Sequence, residues 1–195
     1  MALITRDTLL SLETYSKGRE AFRARVIAHK KNRTVHLGAH VTLLFEDELT
    51  MRYQVQEMLR AERIFEDDGI QHELDAYNPL VPDGSNWKAT MLIEYAEEQE
   101  RRVMLSKLLG IEARVWVQVN GHAQVHPIAD EDLERETDTK TSAVHFLRFE
   151  LDAGMIASAI GGAPVSAGVD HPEYPVPGHA LAPEIAAALA LDLAR

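Results

Sequence analysis

The chain contains no cysteine. That removes disulfides, thiolate nucleophiles, zinc–thiolate sites and cysteine-ligated iron–sulfur clusters. Any metal would need His, Asp, Glu, Tyr or backbone ligands. Long apolar runs are lacking too. The longest, Ile185–Leu191, falls far short of the roughly 20 residues that a membrane-spanning helix needs. The opening stretch, MALITRDTLLSLETY, shows no basic segment followed by an apolar one, so no secretory leader is expected there. Cationic residues are in deficit, 20 Lys and Arg against 31 Asp and Glu, for a net charge of −11. Such a chain repels phosphate backbones, so neither nucleic acid nor an anionic membrane is an expected partner. The expected compartment is the cytoplasm. The sequence also has no GxGxxG after a strand, no Walker A loop and no GxSxG elbow.

What is present is an ordinary globular balance, with 46% hydrophobic and 26% charged residues among 195. That length suits one domain, 1–195, with a sizeable core. Thr5 or Asp7 caps a short helix, and a second helix covers about Lys17–Ala28, although Val26-Ile27 also reads as strand. Strands follow at Thr34–Leu37 and His40–Phe45, split by Gly38. Asp47 is the N-cap of a helix reaching Phe65, and Gln71–Tyr77 adds a further helical turn. Lys88–Tyr95 alternates as a strand, and Glu97–Leu109 is an amphipathic helix. Ala113–Val119 leads through Asn120-Gly121, a hairpin signal, into His122–Ile128. Ser142–Leu151 is a strand with Val144, Phe146 and Arg148 on one face. Asp152 caps Ala153–Ile160, Val165–Val169 is a last strand, His171–Pro183 is loop, and Pro183–Ala194 is a helix. This order predicts an α+β fold: a mostly antiparallel sheet with helices packed on one face and a helical N-terminal region.

Glu62 is the sharpest anomaly. Helical steps through Met51, Val55 and Met58 land on Glu62 before Phe65, which puts a carboxylate within an apolar stripe. A buried carboxylate must be paired, protonated or metal-bound. His145 lies in an otherwise apolar strand, and Asp170-His171 ends another strand at a loop. Glu62, His145, Asp170 and His171 are therefore the candidate metal ligands, and two His with one carboxylate is the composition of a non-haem iron site. His36 with His40, and His122 with His126, are weaker pairs, because residues four apart on a strand lie about 13 Å apart. The other side of the Glu62 helix carries Arg52, Gln56, Arg60 and Arg63, an arc able to hold an anion or an acidic partner. Glu57, one turn from Tyr53, adds a polar pair. The basic turn from His29 to Arg33 is a second candidate contact surface, and the acidic Asp130–Asp138 segment a third. No Ser or Thr nucleophile can be singled out, so catalytic residues are not assigned.

The blocks RVIAHKKNRTVHLGAH, TLLFEDELTMRYQVQEMLRAERIFE, ELDAYNPLVPDGSNWKATMLIEY, KTSAVHFLRFEL and GVDHPEYP resemble the bacterial domain-of-unknown-function family 3501, from about Thr5 to Tyr174. The family pattern covers His29, Lys30, Arg33, Gln56, Glu57, Arg60, Glu62, Arg63, Asp75, Asn78, Pro82, Asp83, His145, Arg148, Asp170 and His171. The family's genes stand beside those of rubrerythrin-like di-iron proteins and iron–sulfur oxidoreductases. The resemblance therefore implies an accessory protein of oxidative-stress or electron-transfer systems, with a rubrerythrin-like or iron–sulfur partner. The alternative expectation is a metal-dependent enzyme of the non-haem iron type with a Glu/His site, using iron or another divalent ion.

Overall fold

The structure is a computed structural model, which describes residues 3–133 and 135–194. Thr5 heads a 3-10 turn, Arg6–Thr8, and Ser11 caps the first long helix, α1 (Leu12–Lys30), by accepting from the Thr14 N–H. Val26 is a buried helical residue and not the start of a strand. Strands β1 (Thr34–Leu37) and β2 (Val41–Phe45) follow, joined by a turn in which Gly38 takes φ 70°. A side chain at Gly38 would collide with the Tyr174 hydroxyl, 2.6 Å from where its Cβ would sit. Asp47 caps α2 (Glu48–Ala61) reciprocally: its carboxylate accepts from the Thr50 N–H, and its own N–H donates to Thr50 Oγ1.

Helix α2 ends four residues before the expected Phe65. Glu62 is its C-cap, and Arg63 takes φ 55°, a left-handed position that turns the chain back. The Ile64 N–H then donates to the Leu59 carbonyl at 2.9 Å, which satisfies an orphan carbonyl of the last turn. The remaining elements are α3 (Asp67–Tyr77), β3 (Asn86–Ile93), α4 (Glu98–Lys107), β4 (Val115–Val119), β5 (Ile128–Ala129), β6 (Val144–Glu150), α5 (Ala153–Ile160), β7 (Val165–His171), β8 (Tyr174–Ala180) and α6 (Pro183–Leu193). Asp152 caps α5 through the Met155 N–H, as the sequence predicts. Among the described residues no helix is long and apolar enough to cross a membrane.

The fold is α+β, and every strand pairing is antiparallel. The strands form two sheets, one ordered β1-β2-β3-β6-β5 and the other β4-β7-β8. Two expectations from sequence change. Asn120-Gly121 is a turn, but only Val125 pairs back, with Val117, before the chain leaves to lay β5 against β6. The segment after His171 is not all loop: β8 pairs with β7 despite Pro175 and Pro177, because an edge strand tolerates residues that cannot donate.

One core lies between the sheets. Leu37, Leu43, Phe45, Trp87, Met91 and Phe149 of the larger sheet meet Val115, Val117, Ala167 and Val169 of the smaller one, with Met155 and Leu189 from α5 and α6. A satellite core under the N-terminal helices gathers Ile4, Met51, Val55, Leu59, Leu74 and Val81. Trp87 Nε1 donates to the Leu189 carbonyl at 2.9 Å and pins α6 to β3.

Arg33 is the second pin. It is 1% exposed, so it is not the surface residue that the basic turn suggested. Its Nη2 donates to Asp192 Oδ1 at 2.6 Å and Oδ2 at 2.7 Å, and also lies 3.2 Å from Asp47 Oδ2. His29 Nε2 sits 2.6 Å from the same Asp47 oxygen, so His29 is likewise drawn into the network. Asp192→Ala would leave the buried Arg33 guanidinium with Asp47 alone, 3.2 Å away and shared with His29. The expected cost is about 3 kcal/mol by urea unfolding, the low end for breaking a buried pair, because Asp47 still offsets part of the charge. Arg33→Met combined with Asp192→Leu is expected to recover most of that loss.

Candidate ligand-binding cleft

The predicted site residues fall in several separate places. Glu62, beyond the end of α2, is exposed, since the early helix stop takes it off the apolar stripe; Phe65 is exposed as well. The arginine arc does not persist. Gln56 is buried and turned inward, where its Oε1 accepts from the Leu10 N–H at 2.7 Å and its Nε2 donates to the Leu10 carbonyl. Arg52 pairs with Glu48 at 3.2 Å and lies over the Phe22 ring. Arg60 is exposed, and Arg63 is outside the helix altogether. Glu57 serves the α1–α2 contact. It accepts from Tyr15 Oη at 2.5 Å and from Arg19 Nε and Nη2 at 2.8 and 2.6 Å. The Arg19 bonds hold its carboxyl below the usual range, while burial and Glu57 push the Tyr15 phenol up.

His145 is fully buried, and both of its nitrogens are engaged. Nδ1 lies 2.5 Å from Asp130 Oδ2, and Nε2 lies 2.9 Å from Thr141 Oγ1 and 3.1 Å from the Ser142 carbonyl. Asp, His and a hydroxyl in this order resemble a nucleophilic triad. Thr141 is also buried, 1% exposed, so no substrate reaches its hydroxyl. His171 is equally committed. Its Nδ1 accepts from the Glu173 N–H, which leaves Nε2 to donate to the Leu109 carbonyl at 3.0 Å. Asp170 is exposed and lies 4.0 Å from His126. Among the described residues no group of three or more His, Asp or Glu is placed to hold a metal ion. The four candidate ligands therefore do not form one site.

The grouping that the fold does create lies on the half-exposed face of the larger sheet. Just past β2, the Glu46 N–H donates to the Lys88 carbonyl at 2.8 Å, continuing the register in which Phe45 faces Ala89. Lys88 in turn faces Arg148 across the β3–β6 pairing. Glu46, Lys88 and Arg148 thus form one row across three strands, with side chains on one face. The next row carries Thr90 and Phe146. Pro79 and Leu80 wall one side, and Glu131 and Asp132 the other, around a cleft of about 230 Å³. That is smaller than drug-sized pockets, so it suits a small molecule.

The row is electrostatically uneven. Arg148 is neutralised by Glu131, whose oxygens accept from its Nε and Nη2 at 2.7 and 2.6 Å, and by Glu150. Glu46 is 4% exposed. Its Oε1 accepts from Thr90 Oγ1 at 2.6 Å, while its Oε2 is shut off from solvent and has no hydrogen-bond partner among the described residues. Burial pushes the Glu46 carboxyl up; Thr50, Thr90 and Lys30 draw it back only in part, and Asp47 adds to the rise. Lys88 Nζ donates to the Pro79 carbonyl. Burial lowers the Lys88 ammonium and Arg148 adds to that, against Asp83, Glu131 and Glu150. Sequence reasoning passed over Glu46 and Lys88, because each reads as an ordinary polar residue at or beside a strand. The register that aligns them is not visible in the composition of either strand.

Fold and cleft together define a two-sheet α+β protein with a small cleft holding a buried carboxyl and an amine. The chain belongs to the family described as protein of unknown function (DUF3501), whose model matches residues 3–193. It is similar to the crystal structure of a protein of unknown function from Burkholderia pseudomallei. The identity is 59%, 98% of this chain and 100% of that one are covered, and the TM-score is 0.94. None of the curated proteins matches.

The native Glu46 keeps its proton above the ordinary value of 4.5, so the native state binds more protons than the unfolded one in the window above it. The stability that Glu46 lends is complete below 4.5 and is lost as pH climbs through its raised native value. Glu46→Gln cannot ionise. Its stability relative to the natural protein is expected to rise across that window, measured by urea unfolding from about pH 4 to about pH 8.

Proposed function

We propose that the chain binds a small, partly apolar molecule carrying a hydrogen-bond acceptor, in the cleft over Glu46, Lys88 and Arg148. The observation that carries this reading is the cleft itself, where a mostly apolar lining stands against the polar row of Glu46, Lys88 and Arg148. Lys88 Nζ, which donates to the Pro79 carbonyl at the cleft wall, is a hydrogen-bond donor, so its complement is a carbonyl or similar acceptor. Pro79, Leu80, Phe146 and Leu147 supply the apolar part of the lining. Glu131 and Asp132 stand at the wall, and Arg148 is already neutralised, so an anion gains little here.

The metal-dependent alternative loses its geometric footing, because its ligands are dispersed and its two histidines are fully bonded. Association with a rubrerythrin-like or iron–sulfur protein rests on the family resemblance, and none of the geometry above bears on it. Ligand-observed saturation-transfer NMR with a panel of small ketones, amides and alcohols tests the reading. Carbonyl compounds are expected to bind, and Leu80→Trp, which fills the cleft, is expected to weaken them at least about ten-fold, the 1.4 kcal/mol that one lost apolar contact supplies. Binding that survives Leu80→Trp unchanged would place the ligand elsewhere and end the proposal.

A further inference from the structure

Helices α5 and α6 pack against each other, and their outer face is set apart by its charge. Charged residues make up 26% of the chain. Helix α5 and residues 161–164 after it have none, and α6 has two, Glu184 and Asp192. Asp192 is buried against Arg33, so Glu184 is the one charge that the two helices present. What the face does carry is apolar. Leu191 is 70% exposed and Ile160 is 48% exposed. Both line a groove of about 490 Å³, whose remaining walls include Ala163, Ala186, Ala187 and Ala190. The groove shares no residue with the cleft over Lys88.

This face is held in shape from behind. Leu189 and Leu193 enter the core, Trp87 binds the Leu189 carbonyl, and Arg33 binds Asp192, all on the inner side of α6. Ala187 and Leu191 stand four residues apart, one turn above another, and both are exposed on the outer side. A large apolar side chain thus stands beside a shallow hole lined by alanines, on a helix that cannot turn to hide it.

We propose that this face joins two copies of the chain, with their α6 helices antiparallel about a two-fold axis. Charge favours a second copy here. The chain carries a net charge of −11, so two copies repel wherever ordinary surface meets ordinary surface, and like charges brought together in an interface are costly. The α5–α6 face is nearly free of that penalty, and low charge is what the centre of an interface has. Shape favours it as well. A two-fold interface must be self-complementary, and here the projecting side chain and the hole belong to one patch. An axis near the middle of α6 sets Leu191 of each copy against Ala186 and Ala187 of the other. Alanines let the two helices approach closely, and their dipoles then oppose. An anionic membrane is a poorer occupant, since neither helix has a Lys or Arg to meet its headgroups.

Sedimentation equilibrium of the full chain over micromolar to millimolar concentrations tests the proposal, with circular dichroism to check that each variant is folded. The natural protein is expected to reach a mass twice that of the chain. Leu191→Glu and Ala187→Glu, both at exposed positions, are expected to remain monomeric throughout. Leu191→Ala is expected to weaken the dimer at least about ten-fold, through the apolar contact it deletes. Phe65→Glu adds the same charge at an exposed apolar residue elsewhere and is expected to leave the dimer intact. Added NaCl is expected to tighten the dimer, because it screens the repulsion between two acidic chains. A natural protein that stays monomeric overturns the proposal. So does a dimer that withstands either glutamate on α6, one that Phe65→Glu dissolves, or one that NaCl dissolves.

Discussion

The buried charge network around Arg33 is the constraint on which the rest of the structure hangs. One guanidinium ties the end of α1, the N-cap of α2 and the C-terminal helix, three places far apart in sequence. Its bond to Asp192 spans 159 residues, and no turn or cap could make that connection locally. A buried pair of this kind is weak evidence for extra stability, yet losing either partner is costly, so it commits the chain to one arrangement. The network reaches into the cleft as well. Asp47, held between Arg33, His29 and the start of α2, immediately follows Glu46. Fixing Asp47 fixes where the β2 strand ends and which way Glu46 leaves it. The Asp47 charge also helps Glu46 to keep its proton. A structural carboxylate thus tunes a neighbour in the cleft wall.

The second buried cluster shapes the opposite wall. Asp130 takes φ 51°, which a non-glycine residue rarely adopts, and it holds that position by facing His145 and accepting from the Phe146 N–H. Arg135 then bridges Asp130 and Asp132 while lying over the Phe146 ring. These contacts carry the chain from β5 into the Glu131–Asp132 wall. His145, which the sequence offers as a metal ligand, therefore works from beneath, as a brace for that wall.

Much of the fold was legible in the sequence because its signals are local. Asp47 and Asp152 announce their helices through side-chain capping, and a carboxylate needs only the next turn's N–H groups to do so. The alternation in β6 assigned Val144, Phe146 and Arg148 to one face correctly. Failures came where a distant partner decides. Nothing near Glu62 says that Arg63 will adopt a left-handed conformation, so the apolar stripe seemed to run one turn too far. Gln56 looked solvated until the Leu10 backbone arrived to cover it. Arg33 read as surface because its partner lies at the other end of the chain. The cleft was illegible for the same reason: Glu46, Lys88 and Arg148 share a row only through the pairings of β2 with β3 and of β3 with β6.

The margins of the smaller sheet have a consequence for life at high protein concentration. An open strand edge is a template for a neighbour's strand and so for aggregation. On one side, Val125 occupies the β4 hydrogen bonds at Val117, so that edge is capped by the chain's own detour. On the other, Pro175 and Pro177 remove two donors from β8. The proline-rich stretch thus acts as a bumper, letting a sheet of only three strands stay open-sided without recruiting a fourth from another molecule.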